Sequence, residues 1–234
     1  MNQHQFREHF HDLRAQESRT RRRFLLDESI FFPILNEDTP STAFDRHYLY
    51  HPAWACRILR RIAPALHYDF SSVLSFAAAI SAWVPTVFCD IRPADIRLDG
   101  LSVRREDLTK ISLPDDSVES LSCMHAVEHV GLGRYGDDID YDGDIKAVRE
   151  IQRITSRGGN ILFVVPVGRV AAIQFNAHRI YTWQSVLDLF AGGFELVESA
   201  LIPDQQELGL VGAPDADLLA RQTYACGCFW FRKL

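Results

Sequence analysis

The sequence lacks the features that would place a protein in a membrane or send it out of the cell. Apolar residues make up 47% of the chain, but no run approaches the about twenty residues that a bilayer-spanning helix needs. The first residues, MNQHQFREHF, are polar and lack the apolar core of a secretion signal. We therefore expect a cytoplasmic protein without a transmembrane segment.

Cysteine is sparse and its spacing is irregular. The five cysteines include no CxxC pair, and this pattern is typical of reduced thiols in a cytosolic protein. Two of them form a Cys-Gly-Cys segment inside an aromatic run, which favours a place within a sheet. We predict no metal site from these residues, which are Cys56, Cys89, Cys123, Cys226 and Cys228.

Basic residues are too few for a nucleic-acid partner. The formal net charge is -6, and the one basic run is Arg19–Arg23. Nucleic-acid binding draws most of its affinity from phosphate neutralisation and is accompanied by a basic face. The run favours a solvated helix face over a contact with anionic lipid or phosphate. We therefore expect no nucleic-acid partner.

Helical spacing marks the first part of the chain. Apolar residues predict one helix over residues 1–30 and a second over Asp45–Pro64. The segment between them, residues 31–42, contains two prolines and is typical of a loop. We predict an N-terminal helical extension and cap over residues 1–64 and an α/β domain over residues 65–234.

The remaining chain alternates between strands and helices, which predicts a doubly wound, mostly parallel sheet around one core. Ile161–Pro166 is continuously apolar, as expected for a parallel strand covered on both faces. The other predicted strands are Ser72–Phe76, Thr86–Asp90, Ser102–Arg105, Val118–Met124, Phe194–Ile202 and Tyr224–Arg232, and the predicted helices are Asp144–Thr155 and Trp183–Phe190.

Ligands of such sheets bind beyond the carboxyl ends of the strands, where the strand order reverses. This rule directs attention to the residues after Phe76, to Asp90 and Asp107, and to Cys123–His129.

One long segment carries a family resemblance. Residues 108–130, LTKISLPDDSVESLSCMHAVEHV, resemble a signature of class I S-adenosylmethionine (SAM)-dependent methyltransferases. In that family an acid ends strand three, a Leu-Pro-Asp-type turn follows, and strand four runs into a Glu-His segment. Further matches in order extend the similarity over roughly residues 66–202. They are Gly158-Gly159, Ile161–Pro166, His178–Trp183 and Gly193–Glu195.

The whole chain is also similar to a smaller, uncharacterised methyltransferase-like family found near bacterial surface-polysaccharide genes. The segments that carry this similarity are Asp45–Tyr48, Tyr50–Trp54, Gly133–Gly136 and Gln174–Arg179.

The resemblance implies a Rossmann-like class I methyltransferase fold with an antiparallel final strand and SAM as cofactor. It implies that Asp90 binds the ribose hydroxyls, since a carboxylate accepts two hydrogen bonds from a vicinal diol. Asp107 and Leu108 would contact the adenine. The full set of implied cofactor residues is Phe76, Ala77, Ala78, Asp90, Ile91, Asp107, Leu108, Cys123 and Met124.

The family places a glycine-rich turn after strand one, and this sequence has none there. Residues 73–83, VLSFAAAISAW, contain no glycine, so a Cβ stands where the backbone would approach the cofactor. A second interpretation is therefore a methyltransferase-fold binding or scaffold subunit that has lost the cofactor.

His125-Ala-Val-Glu-His129 matches the HxxEH pattern of zinc hydrolases, which requires both histidines on one helix. A predicted strand precedes the motif and glycines follow it, so we favour His125 or His129 as a general base at the end of strand four. A metal-dependent hydrolase is the third, less favoured interpretation.

Asp138-Ile-Asp140-Tyr-Asp142-Gly143 imitates the first half of an EF-hand loop, but position twelve is Arg149 instead of glutamate. We predict a helix start, at which Asp142 and Asp144 bond free amide groups.

Polar residues from three separate segments suit an acceptor pocket for a hydroxylated substrate. We predict transfer of a methyl group to an oxygen of a small molecule or saccharide held there. The predicted pocket residues are His47, Tyr48, His51, Arg134, Tyr135, Asn176 and His178.

Overall fold

The computed structural model describes residues 1–17 and 24–234, so the basic run Arg19–Arg23 lies outside the described residues. The described chain forms two compact units, Met1–Phe44 and Asp45–Leu234. The domain boundary proposed from the sequence falls later, after residue 64. Within the described residues, no helix has the length and the apolar character needed to cross a bilayer.

In its described residues the first unit contains one α-helix, α1 (Gln3–Glu17), and a short 3-10 helix at Glu28–Ile30. Phe10 is buried and packs edge-on against Phe31, with the ring centroids 4.7 Å apart. The helix expected over residues 1–30 is too long, because residues 24–27 are not helical.

The second unit is built on a large sheet. Its strands are β1 (His67–Phe70), β2 (Thr86–Asp90), β3 (Leu101–Arg105), β4 (Val118–Met124), β5 (Thr155–Val167), β8 (Phe194–Ile202), β9 (Val211–Gly212) and β10 (Ala225–Lys233), and a separate hairpin pairs β6 (Ala172–Gln174) with β7 (His178–Ile180).

The strand order in the sheet is β3-β2-β1-β4-β5-β10-β8-β9. The neighbours from β3 to β5 pair in parallel, whereas β10 pairs antiparallel with both β5 and β8. The order reverses between β1 and β4, which follow different crossover connections. The predicted mostly parallel α/β sheet with an antiparallel final strand is confirmed.

Helices cover both faces of this sheet. They are α2 (Arg46–Ile62), α3 (Leu74–Ile80), α4 (Gly143–Ile154), α5 (Trp183–Leu189) and α6 (Ala216–Ala220). Buried residues of α2 and α3 share one core, and buried residues of α4 and α5 share another. Side chains of β5 alternate between the two: Phe163 and Val165 enter the second core, and Leu162 and Val164 enter the first. A continuous apolar run results from this two-sided burial.

The first strand lies earlier than the sequence predicted. Residues 72–76 belong to a turn and to the start of α3, and β1 occupies His67–Phe70 instead. Two of its four residues, His67 and Asp69, are polar and fully buried, so the segment lacks the apolar signature of an inner strand. Their partners come from β4, where Ser122 Oγ donates to Asp69 Oδ1 at 2.5 Å.

Candidate functional site

Chemically active side chains gather where the parallel strands end. Asp90 ends β2, Glu106 follows β3, and His125 follows β4. Since β10 is antiparallel, its beginning lies at this same edge, and Tyr224 precedes it there. The edge therefore collects residues that are far apart in the sequence.

A strand-end crevice opens beyond β1, β2 and β4. It carries both carboxylates and apolar surface, a combination suited to a polar ligand with a flat apolar part. Its lining residues are Ser71, Asp90, Ile91, Arg92, Glu106, Asp107, Leu108, His125, Ala126, His129, Val130, Tyr135 and Asp137.

Four of the predicted cofactor residues line this crevice: Asp90, Ile91, Asp107 and Leu108. The oxygen Oδ1 of Asp90 accepts a hydrogen bond from the backbone N–H of Arg92 at 2.7 Å. The oxygen Oδ1 of Asp107 accepts from the backbone N–H of Thr109 at 2.8 Å. These turn contacts fix the two carboxyl groups at the mouth of the crevice.

The remaining predicted cofactor residues lie elsewhere. Phe76 and Ala77 are buried within α3, at 2% and 0% exposure, and pack into the cores beside the sheet. Ala78 is in the same helix and does not line the crevice. Cys123 and Met124 are buried in β4 and face the two opposite cores. For Phe76, Ala77 and Ala78 the difference follows from the misplaced first strand, which put the expected turn inside a helix. Cys123 and Met124 differ because their side chains enter the cores instead of the crevice.

The turn after β1 is Ser71–Val73, and it contains no glycine. Ser71 nevertheless adopts the left-handed conformation, with φ 56°. Its backbone N–H donates to Cys89 O at 2.8 Å, which ties the turn to β2. A left-handed conformation is one that glycine adopts most easily, so the backbone has the shape of a glycine turn with a hydroxymethyl group added.

A second cavity, the histidine pocket, lies beside the crevice and has a volume of about 650 Å³. That volume is in the range of small-molecule sites. His125 and His129 belong to both linings and stand between the two cavities. The histidine pocket is lined by Asp45, Arg46, His47, Tyr48, His125, Glu128, His129, Arg134, Ala177, His178, Pro203, Asp204 and Tyr224.

Four of the predicted acceptor residues line the histidine pocket: His47, Tyr48, Arg134 and His178. Tyr135 instead lines the strand-end crevice, where its ring lies under the guanidinium of Arg92 at 4.4 Å.

His51 and Asn176 do not line either cavity. The ring of His51 is fully buried behind that of His125, with the centroids 5.1 Å apart. Asn176 is exposed in the turn between β6 and β7, so the structure gives no support to the predicted substrate contact there.

His125 and Glu128 form a buried pair. The Nδ1 atom of His125 lies 2.9 Å from Glu128 Oε1, and both side chains are almost completely enclosed. His125 has a left-handed backbone, with φ 55°, which turns the chain sharply at the end of β4. Since a carboxylate can only accept, the Nδ1 atom of His125 is the donor in this hydrogen bond, and its Nε2 atom has no hydrogen-bond partner.

The ring of His129 is neutral, and its Nδ1 atom is hydrogen-bonded to a backbone carbonyl. Its Nδ1 atom lies 2.6 Å from Ala177 O, and its Nε2 atom lies 3.8 Å from Glu128 Oε1. Burial lowers the pKa of His129, although the nearby Glu128 carboxylate opposes this. The ring is therefore neutral at physiological pH and can accept a proton.

The two histidines of α2 are neutral as well. Burial, and to a lesser extent the nearby His125, lower the pKa of His47 to about 4 and that of His51 to about 3. The opposite effect acts on Tyr48, whose pKa burial raises to about 12. The pocket wall thus offers neutral nitrogen bases and a neutral phenol.

The zinc-hydrolase interpretation of HxxEH lacks the helix that it requires. His125 follows a strand, and residues Val127–His129 form a 3-10 helix. Glu128 lies against both histidines instead of facing a metal-bound water.

The acidic loop before α4 is already committed to protein contacts. Asp140 pairs with Lys146, and Asp144 accepts from the hydroxyl of Tyr181 at 2.9 Å. Asp142 is the N-cap residue of α4, but its side chain makes no capping bond. The predicted helix start is correct, whereas the predicted amide contacts of Asp142 and Asp144 are not.

Sequence reasoning missed several residues of the site. Asp204 and Tyr224 line the histidine pocket, and Cys226 lies just behind it on β10. Glu106 lines the crevice, where its carboxylate accepts from Ser112 N at 2.8 Å. The direction of the last strand was the available signal, because an antiparallel strand begins at the edge where parallel strands end.

The architecture of this chain is similar to that of several solved structures. A structure described as the [4+2]-cyclase SpnF matches with a TM-score of 0.55 and 13% identity, covering 78% of this chain and 81% of that one. The N-methyltransferase NodS from Bradyrhizobium japonicum WM9, in complex with S-adenosyl-L-homocysteine, matches with a TM-score of 0.53 and 13% identity, covering 84% and 89%. The fold is that of the class I methyltransferases.

A third relative carries both a substrate and a cofactor product. The 1,6-didemethyltoxoflavin-N1-methyltransferase of Burkholderia thailandensis, solved with 1,6-didemethyltoxoflavin and S-adenosylhomocysteine, matches with a TM-score of 0.52. The identity is 12%, and 78% of each chain is covered. The cyclase among these relatives shows that the fold alone does not determine the reaction.

At the level of sequence, residues 104–213 match the family model described as "Caenorhabditis protein of unknown function, DUF268". No curated protein sequence matches the chain. The matched range contains β4, both histidines that separate the cavities, and the 174–179 segment.

Proposed function

We propose that this chain is a SAM-dependent methyltransferase that acts on an oxygen of a hydroxylated small molecule or saccharide. One observation carries the proposal: the strand-end crevice and the histidine pocket meet at His125 and His129, which line both. A transfer between two bound molecules needs two adjoining cavities and a proton acceptor between them.

The residues of the strand-end crevice fit the nucleoside part of SAM. Asp90 ends β2, and Asp107 follows the neighbouring parallel strand β3. One oxygen of each carboxylate accepts a hydrogen bond from a backbone N–H. Asp90 suits the ribose hydroxyls and Asp107 the adenine amino group, because a carboxylate accepts hydrogen bonds from both kinds of donor. Leu108 supplies apolar surface beside the ring.

The fit at the turn after β1 is less complete. Ser71 lines the crevice with the left-handed backbone that a glycine would adopt, but it carries a Cβ, and its hydroxyl donates to Cys89 O at 3.3 Å. This position is where we expect the methionine end of the cofactor. The missing glycine also supports the rival proposal, a binding or scaffold subunit without a cofactor.

SAM, when bound, supplies an electrophilic methyl group to a nucleophilic oxygen. The chain has to orient the acceptor hydroxyl and remove its proton. We assign proton removal to His129, whose Nε2 atom is free and whose ring lines both cavities. His125 is the second candidate, although its Nε2 atom is more deeply enclosed.

Polar side chains around the histidine pocket support a hydroxylated acceptor. Asp45 and Asp204 are carboxylates that accept from hydroxyl groups, and Arg46 and Arg134 are donors. Arg134 is held in place by a bond from its Nη1 atom to Ala177 O at 3.0 Å. A lining that contains both donors and acceptors suits a saccharide, and a surface-polysaccharide pathway in the cytoplasm is the setting that we propose.

Calorimetric titration of the full chain with SAM and with S-adenosylhomocysteine tests this proposal. We expect micromolar binding to the unmodified protein and about tenfold or greater weakening in Asp90→Asn, which loses a charged acceptor. Asp95→Asn is the matched control, because Asp95 is exposed in the loop after β2 and does not line the crevice.

Equal binding by both variants would show that SAM does not use Asp90 and would reject the assigned site. Absence of binding by the unmodified chain would reject the methyltransferase proposal and favour the cofactor-free binding subunit.

A further inference from the structure

We propose that His47, His125 and Cys226 bind a divalent transition metal, best fitted by zinc, at the inner wall of the histidine pocket. One ligand atom from each residue, two ring nitrogens and a sulfur, lie within 4.8 Å of one another. The three residues come from α2, the end of β4 and the start of β10. The fold therefore brings them together from three distant parts of the sequence.

Unpaired nitrogen atoms at this place point to a ligand. The Nε2 atoms of His125 and His51 are buried and have no hydrogen-bond partner. The ring of His47 stacks on that of His125 at a centroid distance of 5.5 Å, and the ring of His51 meets it edge-on at 5.1 Å. A buried nitrogen without a partner is costly, and a cation among these lone pairs would remove that cost.

The Nδ1 atoms of His125 and His51 already have hydrogen-bond partners, which fix the orientation of both rings. His125 directs Nδ1 to the Glu128 carboxylate at 2.9 Å, and His51 directs Nδ1 to His47 O at 2.6 Å. Histidines that bind metals use this arrangement, in which a carboxylate or carbonyl fixes the tautomer and leaves the other nitrogen free.

The donor set indicates which metal. Two imidazoles and one thiolate suit zinc, whereas calcium and magnesium prefer oxygen. Three protein ligands leave a fourth tetrahedral position open, as in catalytic zinc sites. His47 and His125 line the histidine pocket, so that position faces the pocket or the nearby His51.

A metal at this site would favour an acceptor that carries a hydroxyl group. This part of the inference rests on the proposed methyl transfer. A hydroxyl oxygen that occupies the fourth position would lose its proton more easily, because the cation stabilises the alkoxide. His129 would then receive the proton. Metal binding itself does not depend on SAM.

Cobalt titration of the full-length protein, stripped of metal with a chelator, tests the site. We expect one equivalent of Co²⁺ to bind and to give the ultraviolet charge-transfer band of a cobalt–thiolate bond. The band should disappear in Cys226→Ala and persist in Cys228→Ala. Cys228 is the matched control, since it is equally buried two residues further along the same strand but lies outside the group.

His47→Ala provides an independent test, because His47 is only partly buried near the start of α2 and its loss should not unfold the chain. We expect the affinity for Co²⁺ to fall at least tenfold. A Glu128→Gln substitution should weaken it by about 10–100-fold through the oriented histidine.

The proposal is overturned if Co²⁺ gives no thiolate band, or if the band survives in Cys226→Ala. A SAM titration of the same metal-free protein separates the two proposals. Cobalt binding without SAM binding would support the metal site and reject methyl transfer. SAM binding without cobalt binding would reject the metal site and leave the methyl-transfer proposal standing.

Discussion

At the scale of single residues, a buried chain of polar side chains joins β1 to β4. His67 Nε2 lies 2.9 Å from Ser122 Oγ, which in turn donates to Asp69 Oδ1 at 2.5 Å. Burial raises the pKa of Asp69 to about 7 and lowers that of His67 to about 3. Both groups therefore resist ionisation in the folded protein.

Asp69 makes stability depend on pH in a direction opposite to that of an ordinary surface carboxylate. Its pKa in the folded protein lies above the unfolded value of 3.8, so the folded state binds more protons than the unfolded state between about pH 4 and about pH 7. The stability that Asp69 contributes is present below that window and is lost as the pH rises through it.

We expect Asp69→Asn to remove this dependence. Across the window, the free energy of unfolding of the wild type should fall relative to that of the variant by about 1 kcal/mol per pH unit. Urea denaturation of both proteins at several pH values measures the difference between their free energies of unfolding. Both proteins contain His67, so its ionisation contributes about equally to each and largely cancels in that difference. Parallel pH profiles would contradict a raised pKa for Asp69.

At the scale of elements, α2 ends on a residue with an unfavourable backbone. Ala63 is the C-cap in the left-handed region, with φ 42°, and its N–H donates to Leu59 O at 2.8 Å. This conformation costs an L-residue about 1 kcal/mol and costs glycine very little. The same helix contains Ala53 in its interior, with an ordinary helical backbone.

We expect Ala63→Gly to stabilise the protein by up to about 1 kcal/mol, and Ala53→Gly to destabilise it by about 1 kcal/mol. Each substitution removes one methyl group, so the opposite signs isolate the backbone effect. Urea denaturation checks both. A loss of stability in Ala63→Gly would mean that unfolded-state entropy outweighs the relief at the cap.

The sequence predicted those elements whose burial matches their polarity. The bounds of β2 and β4 were predicted correctly, because their apolar residues lie in or against the cores. The prediction failed at β1, where His67 and Asp69 are buried through partners on another strand. Such partners become visible only in the folded sheet, and the error then displaced the expected cofactor turn.

The candidate site was predictable to the extent that it follows strand ends. Asp90, Asp107 and His125 lie where the rule for parallel sheets places ligands. The grouping of His47 with Cys226 depends on the antiparallel direction of β10, which the family resemblance implied, and on how α2 packs, which no local pattern encodes. The sequence also did not indicate the left-handed backbone at Ser71 and His125, since neither residue is glycine.

At the scale of the whole molecule, the core belongs almost entirely to the second unit. Among the described residues, Phe10 is the buried apolar residue of the first unit, whereas α2 contributes Trp54, Ile58 and Leu59 to the core beside the sheet. A fragment that begins at Asp45 therefore keeps almost all of the described core. A cut after residue 64 would remove a helix that covers one face.

We expect a fragment of residues 45–234 to unfold cooperatively and to keep the near-ultraviolet circular dichroism and the SAM and Co²⁺ binding measured for the full chain. A fragment of residues 65–234 should fail. Burial of Trp54, Ile58 and Leu59 contributes about 2 kcal/mol each. Their sum is comparable to the whole free energy of unfolding of an ordinary domain.

The shorter fragment should therefore bind a hydrophobic dye and lack a cooperative thermal transition. It also lacks His47, so its Co²⁺ binding should be lost even where secondary structure remains. A cooperative 65–234 fragment would favour the boundary predicted from the sequence and would make α2 an accessory cap. An unfolded 45–234 fragment would mean that residues 1–44 supply stability that the burial of Phe10, among the described residues, does not explain.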